Sequence, residues 1–512
     1  MHKVMTSPAL LFAAIVLLAG CTSLGPDFVT PEVAEKDGWL DENEEISAAS
    51  SEQAAWWNIF NDPVLNTLVE KAYEQNLPLQ IAGLRIFEAR AQLGIATGLQ
   101  YPQTQMVSGA ASANRISENR PNFDPQLDNS NFRNIQTGFD AVWEVDFWGR
   151  YRRGIESADT SLSATIADYD NALVSLTAEV ARVYVSIRIL EERLKIAYEN
   201  IELQKKSLNL ATIRYTNGAT TELDVQQAKT NLADTRAQVP ALTRQLRQTN
   251  NALNILMGMP PAELTDILGE SGTIPVAPDR LAAGIPTELL RRRPDVRQAE
   301  LQAASQSALI GVAETELYPR FSLLGSIGFQ TSNTGNSSAS DMFDSNSLGY
   351  SVGPSFSWNI LNYGRIRNNV RVQDARYQQT IVNYQNAVLT AYQEVEDAMV
   401  GFIKAREESG IRAEGAQAAK RATEISNIQY REGAVDFQRV IDSERTLVSQ
   451  QDQWTQARGD ISLNLIAMYK ALGGGWELRE GNNFISEDNR KTMEERTNWG
   501  DLLQPEQQPE QK

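Results

Sequence analysis

The chain has one cysteine, Cys21, and one histidine, His2, both at its N-terminus. A single cysteine leaves no intrachain disulfide and no CxxC pair. Beyond His2 there is no His general base, no Ser-His-Asp triad and no zinc site that uses His. No GxxxxGK[ST] or GxGxxG phosphate loop occurs, and Gly473-Gly474-Gly475 ends a helical run instead of opening one after a strand. After the N-terminal leader no window approaches the roughly 18 apolar residues of a spanning helix, so any membrane crossing must be made by strands. A net charge of −18 argues against a nucleic-acid partner. The acidic pairs that remain read as solvated helix faces, and the chain reads as a non-enzyme with no metal and no cofactor.

What is present is a duplication. Tyr430-Arg-Glu-Gly433-Ala434 lies over Tyr215-Thr-Asn-Gly218-Ala219, and the offset (430 − 215 = 215) holds through Trp143/Trp358, Gly149/Gly364, Tyr169/Tyr384, Val225/Val440 and Gly258/Gly473. In each copy a proline-poor run rich in Ala, Gln, Glu and Arg predicts a very long helix, Ile366 to Arg431 in the second. At 1.5 Å per residue it would reach about 100 Å and would need partner helices along its length. Gly218 and Gly433 supply the left-handed turns that let shorter helices return antiparallel, Phe437 to Leu472 in the second copy. Both turns are expected at exposed tips where a partner protein docks.

Before each long helix the period changes from helical to two. Ile135, Thr137, Phe139, Ala141, Trp143, Val145 and Phe147 alternate with polar residues, as do Leu348, Tyr350, Val352, Pro354, Phe356, Trp358 and Ile360. Partner strands are expected from Pro102 to about Ser117 and from Phe321 to about Ser332. Pro354, lacking a ladder donor, should mark a bulge or a non-bonded position. The chain thus owns about four strands, too few to close an edge-free barrel in lipid, so several chains must each contribute a sector. The alternative is a soluble sandwich in which the two apolar faces meet.

Residues 1–20 read as a secretory leader, and Leu18-Ala19-Gly20-Cys21 resembles a lipobox, which makes Cys21 the expected lipid attachment. Thr22 follows in place of the Asp that retains lipoproteins at the inner membrane. The expected segments are 21–78 as a lipidated tether with short helices, 79–260 and 261–476 as the two repeats, and 477–512 as an acidic tail with a disordered end. Arg291-Arg292-Arg293 reads as a solvated helix start.

Leu-Ala-Gly-Cys21, Gly25-Pro-Asp27, Trp56-Trp57, Tyr101-Pro102, Trp143-Glu-Val-Asp-Phe-Trp-Gly-Arg150, Arg292-Arg-Pro-Asp295, Tyr363-Gly-Arg365 and Tyr469-Lys-Ala-Leu-Gly-Gly-Gly-Trp476 together resemble the TolC-type outer membrane factors, in their lipoprotein branch. The resemblance spans nearly the whole chain. It implies an internally duplicated α+β fold, a homotrimer with a 12-stranded barrel in outer membrane lipid, and a helical tube reaching into the periplasm to meet an adaptor and an inner-membrane pump. The implied function is a passive gated conduit for small molecules such as drugs. A protein-secretion conduit shares the architecture, and a non-channel scaffold lipoprotein is a third reading. By motif the family's periplasmic gate carries to Asp442 and Arg445, whose counterparts in the first copy are Gln227 (442 − 215) and Thr230 (445 − 215). Gln438 stands where the family is apolar, against a hydrophobic plug. As a bare i, i+3 surface pair, Asp442 and Arg445 would be worth only a few tenths of a kcal/mol.

Overall fold

A computed structural model describes residues 23–33, 38–40, 46–47, 54–124, 130–269, 272–278, 281–282, 292–334 and 338–504. The leader, Cys21 and residues 505–512 lie outside these, so the lipid site and the expected disordered end do too.

The chain forms two compact units, one of residues 1–31, 88–164 and 299–383, the other of residues 32–87, 165–298 and 384–512. The elements repeat at the offset seen in the sequence. Strands β2 (Thr104–Arg115) and β3 (Asn131–Glu144) precede the long helix α3 (Arg150–Thr216) and its return α4 (Glu222–Leu256). Strands β5 (Arg320–Ser332) and β6 (Leu348–Ser357) precede α6 (Arg365–Arg431) and α7 (Phe437–Ala471). The long helices are 67 residues each and the returns 35 each. Helices α1 (Pro63–Gln75) and α2 (Leu77–Gly98) open the first copy and α5 (Pro294–Thr315) the second. Two-residue strands β1 (Ile46–Ser47) and β4 (Leu281–Ala282) pair in parallel. Helix α4 runs on through Pro240, whose counterpart in α7 is Thr455.

In the first unit the four long strands make one antiparallel sheet in the order β2-β3-β5-β6. The two hairpins therefore join edge to edge, through pairs from Asn134↔Ser332 to Glu144↔Ser322. That excludes the sandwich, in which they would have formed two sheets. Register places Val107, Phe139, Ile327 and Tyr350 in one row across all four strands, and all four are exposed in the single chain. On the opposite face Gly138, Gly328 and Gly349 align, and a Cβ on Gly328 would come 2.5 Å from the Thr137 carbonyl. Pro354 faces Leu323 in a ladder without a slip, so no bulge forms; β6 is an edge strand, where a missing donor breaks no central bond. Trp143 and Trp358 keep the repeat's symmetry. Trp143 donates to the Gln100 carbonyl at 3.2 Å and Trp358 to the Leu317 carbonyl at 2.9 Å, each the residue before a Tyr-Pro. The expected extended tether is docked here: Arg153 holds the Leu24 carbonyl at 3.0 Å and Asp27 at 2.7 Å.

In the second unit Asp62 caps α1 through the Val64 amide at 2.9 Å and accepts the Tyr184 hydroxyl at 2.6 Å. Trp56 stacks on Tyr469 with centroids 5.4 Å apart. One sequence expectation is corrected. Arg293 is buried, not solvated, with its guanidinium on Asp295, Glu394 and the Ala471 carbonyl, because the helix start it opens is packed against the end of α7. The acidic tail is folded as far as residue 504: helix α8 (Glu487–Arg496) and the segments around it bury Ile485, Met493 and Leu503 against Phe87. Phe484 and Trp499 of the tail pack against the same cluster.

Candidate functional site

The two hairpin turns have the same backbone. Gly218 sits at φ +72° and Gly433 at φ +76°, and the amides of Ala219 and Ala434 close the turns on the carbonyls of Arg214 and Gln429, each at 2.8 Å. Both glycines are exposed.

Side chains make the tips unlike. Tyr430 is 2% exposed, under the Arg214 guanidinium at 4.7 Å, whereas its counterpart Tyr215 is 43% exposed. Arg214 also holds the Tyr430 and Arg431 carbonyls, and the Tyr430 hydroxyl donates to Asp224 at 3.0 Å. Burial, with Asp224 beside it, pushes the Tyr430 pKa up to about 12. Phe437 packs 5.0 Å from Tyr430 over Ala211, Val225, Ala228, Val440 and Ile441. The second turn is thus clamped by groups of the first hairpin.

Beyond this apolar cluster come the expected gate residues. Asp442 is exposed and accepts the Gln438 amide at 2.9 Å, while Gln438 in turn accepts from Gln227 at 3.5 Å. Arg445 does not close an i, i+3 pair with Asp442. It turns to the other hairpin, donating to Asn231 Oδ1 at 3.2 Å and approaching Asp234 at 3.7 Å. Gln227 and Thr230 carry no charge at the matching places, and Thr230 donates to the Gln226 carbonyl of its own helix.

Sequence reasoning missed the first hairpin's share, Ser207, Asn231 and Asp234, and it missed Glu444. A signal was available: Asn231 falls within the buried stripe Val225, Ala228, Leu232, Thr235 of α4, where a polar residue needs a partner. That partner is Glu444, 2% exposed, which accepts from Asn231 Nδ2 at 2.9 Å and from Ser207. Burial pushes the Glu444 carboxyl up from its usual value, in spite of hydrogen bonds from Ser207, Asn231 and Asn427. Farther along lies a cavity of about 460 Å³ lined by Arg193, Gln204, Asp234, Arg445 and Asp452. Arg193 and Asp452 form a two-pronged pair across it, at 2.7 and 3.2 Å. Among the described residues no group of three His, Cys, Asp or Glu side chains is placed to hold a metal, and no helix is long and apolar enough to cross a membrane.

The family model described as outer membrane efflux protein matches residues 68–259 and again 285–474, the two repeats in turn. The pyoverdine export outer membrane protein OpmQ of Pseudomonas putida is 31% identical over 474 residues, covering 91% of this chain and 97% of that one. The probable outer membrane lipoprotein SilC of Salmonella typhimurium is 28% identical over 91% of this chain and 98% of its own length. The solved outer-membrane channel OprN superposes with a TM-score of 0.81 at 33% identity, covering 89% of this chain and all of that one. A duplicated chain with two long helical hairpins and one four-stranded sheet, matched by that model in both copies, belongs to the outer membrane efflux protein family.

Proposed function

We propose that three copies of this chain close a 12-stranded barrel in the outer membrane and form the exit duct of a tripartite efflux system, with the hairpin tips as its gated periplasmic entrance. The observation that carries the closure is the sheet itself. Its β2 and β6 edges have no neighbour among the described residues, and its row of Val107, Phe139, Ile327 and Tyr350 is exposed. In lipid such edges must pair, and four strands cannot do so alone. The protein supplies a path and a gate; a pump supplies the energy. Small molecules are the cargo this reading favours, as the name of OpmQ gives pyoverdine as the export of that relative. The tip turns at Gly218 and Gly433, both exposed, suit an adaptor's docking, and Asp442 and Arg445 form the constriction. Cys21 carries the lipid anchor, a reading supported by its lipobox and by the lipoprotein name of SilC.

Cross-linking in detergent together with single-channel recording in planar bilayers tests this. A closed ring of three chains that conducts is the expected result, and a conducting monomer would overturn the closure argument. Mass spectrometry of the mature N-terminus tests the anchor, which fails if Cys21 is found unmodified.

A further inference from the structure

Glu444 has the surroundings of a neutral acid. Three helices face it, with Ser207 from α3, Asn231 from α4 and Asn427 from α6, and none of these side chains titrates. On its own helix Arg445 reaches it through Asn231, and Asp234, across from it, through Arg445 in turn. Ser207 has one hydroxyl proton, yet its oxygen meets both Glu444 Oε1 and Asn427 Oδ1, the latter at 3.2 Å. When that proton goes to Asn427, the contact with Glu444 is a hydrogen bond only if the carboxyl carries its own. Asn231 is oriented from both sides: its amide nitrogen serves Glu444, which leaves its oxygen for Arg445. The cluster is not a remnant of the duplication. The counterpart of Glu444 is Lys229 (444 − 215), which is exposed, and the counterpart of Asn231 is Thr446 (231 + 215).

We propose that Glu444, buried in its neutral form, is a positioning residue of the gate: through Asn231 it holds Arg445 toward Asp234, and its ionisation lets the two hairpins part. This rests on the reading of Arg445 as part of the gate. The direction with pH follows from burial. A tip that encloses Glu444 raises its pKa above 4.5, and a parted, wetted tip lets it return there. Closure is therefore fully supported below 4.5 and weakens as pH rises through the raised value. Each unit of elevation shifts the ratio of open to closed tips by about tenfold.

The test is conductance of the full-length protein in planar bilayers across a pH series. Wild-type current should rise with pH, E444Q should hold the low acid-limit current throughout, and Asn231→Ala should raise the current even in acid. A pH response in E444Q equal to wild type overturns the inference. Asp442→Ala with Arg445→Ala separates it from the gate reading. If that variant opens while E444Q still titrates like wild type, the Glu444 inference alone fails. If it conducts like wild type while E444Q loses the response, Arg445 is not the gate, and the part of the inference that runs through Asn231 to Arg445 falls with it.

Discussion

The first and second hairpin tips share one backbone and differ in what they bury. At residues 215–219 the turn is exposed, Tyr215 included, while at 429–434 the same turn is roofed by Arg214 and floored by Phe437. Phe437 occupies the place of Glu222, and Asp436, which caps α7 through the Arg439 amide at 3.3 Å, occupies that of Thr221, whose side chain caps nothing. A duplicated scaffold fixes main-chain geometry locally, through glycine and hydrogen bonds within a few residues. Which copy is held and which is loose depends on side chains that reach between the copies.

The largest effect that would break the comparison is at Phe437. Truncation to Ala removes a fully enclosed ring and should loosen the second tip by about 3–5 kcal/mol, read as faster amide exchange over 425–445, while Glu222→Ala changes little. Gly218→Ala and Gly433→Ala should cost the same, about 1–2 kcal/mol each, because both need the left-handed region; unequal costs in thermal unfolding would show that the backbones are not equivalent. Asp436→Ala should cost about 1 kcal/mol of protection in the first turn of α7, and Thr221→Ala close to nothing in α4. The smallest effect is at the gate. Arg445 and Asp234 are half-exposed, so their attraction is worth about 1 kcal/mol or less, and Asp442→Ala with Arg445→Ala should raise conductance at most about fivefold and weaken cation preference. Gln227→Ala with Thr230→Ala should do little. Equal conductance for the two double variants would return Asp442 and Arg445 to ordinary surface residues.

Much of this molecule could be read from its residues one neighbourhood at a time. Repeat spacing, helix period and strand alternation placed the elements because each depends on residues close in the chain, and the helix ends 150 and 365, 216 and 431, 222 and 437, 256 and 471 all differ by the 215 of the sequence offset. The glycines of both turns were legible for the same reason, since a left-handed residue between two helical runs is a local demand. Asp442 and Arg445 were legible only as a motif, and their partners were not.

Four features needed the tertiary structure. The junction of β3 with β5 joins segments nearly two hundred residues apart, and strand alternation allows either that edge or a face-to-face sandwich. Arg293 in a run of three arginines looks solvated until Glu394 and the Ala471 carbonyl arrive around it. The tail from 477 to 504 has too few apolar residues to fold by itself and does so because Phe87 is there to receive them. Glu444 looks like one more charge on a solvated helix. It becomes a buried acid only when Ser207, Asn231 and Asn427, from three other helices, surround it, because the cost of burying a carboxyl is set by what faces it and not by its own place in the chain.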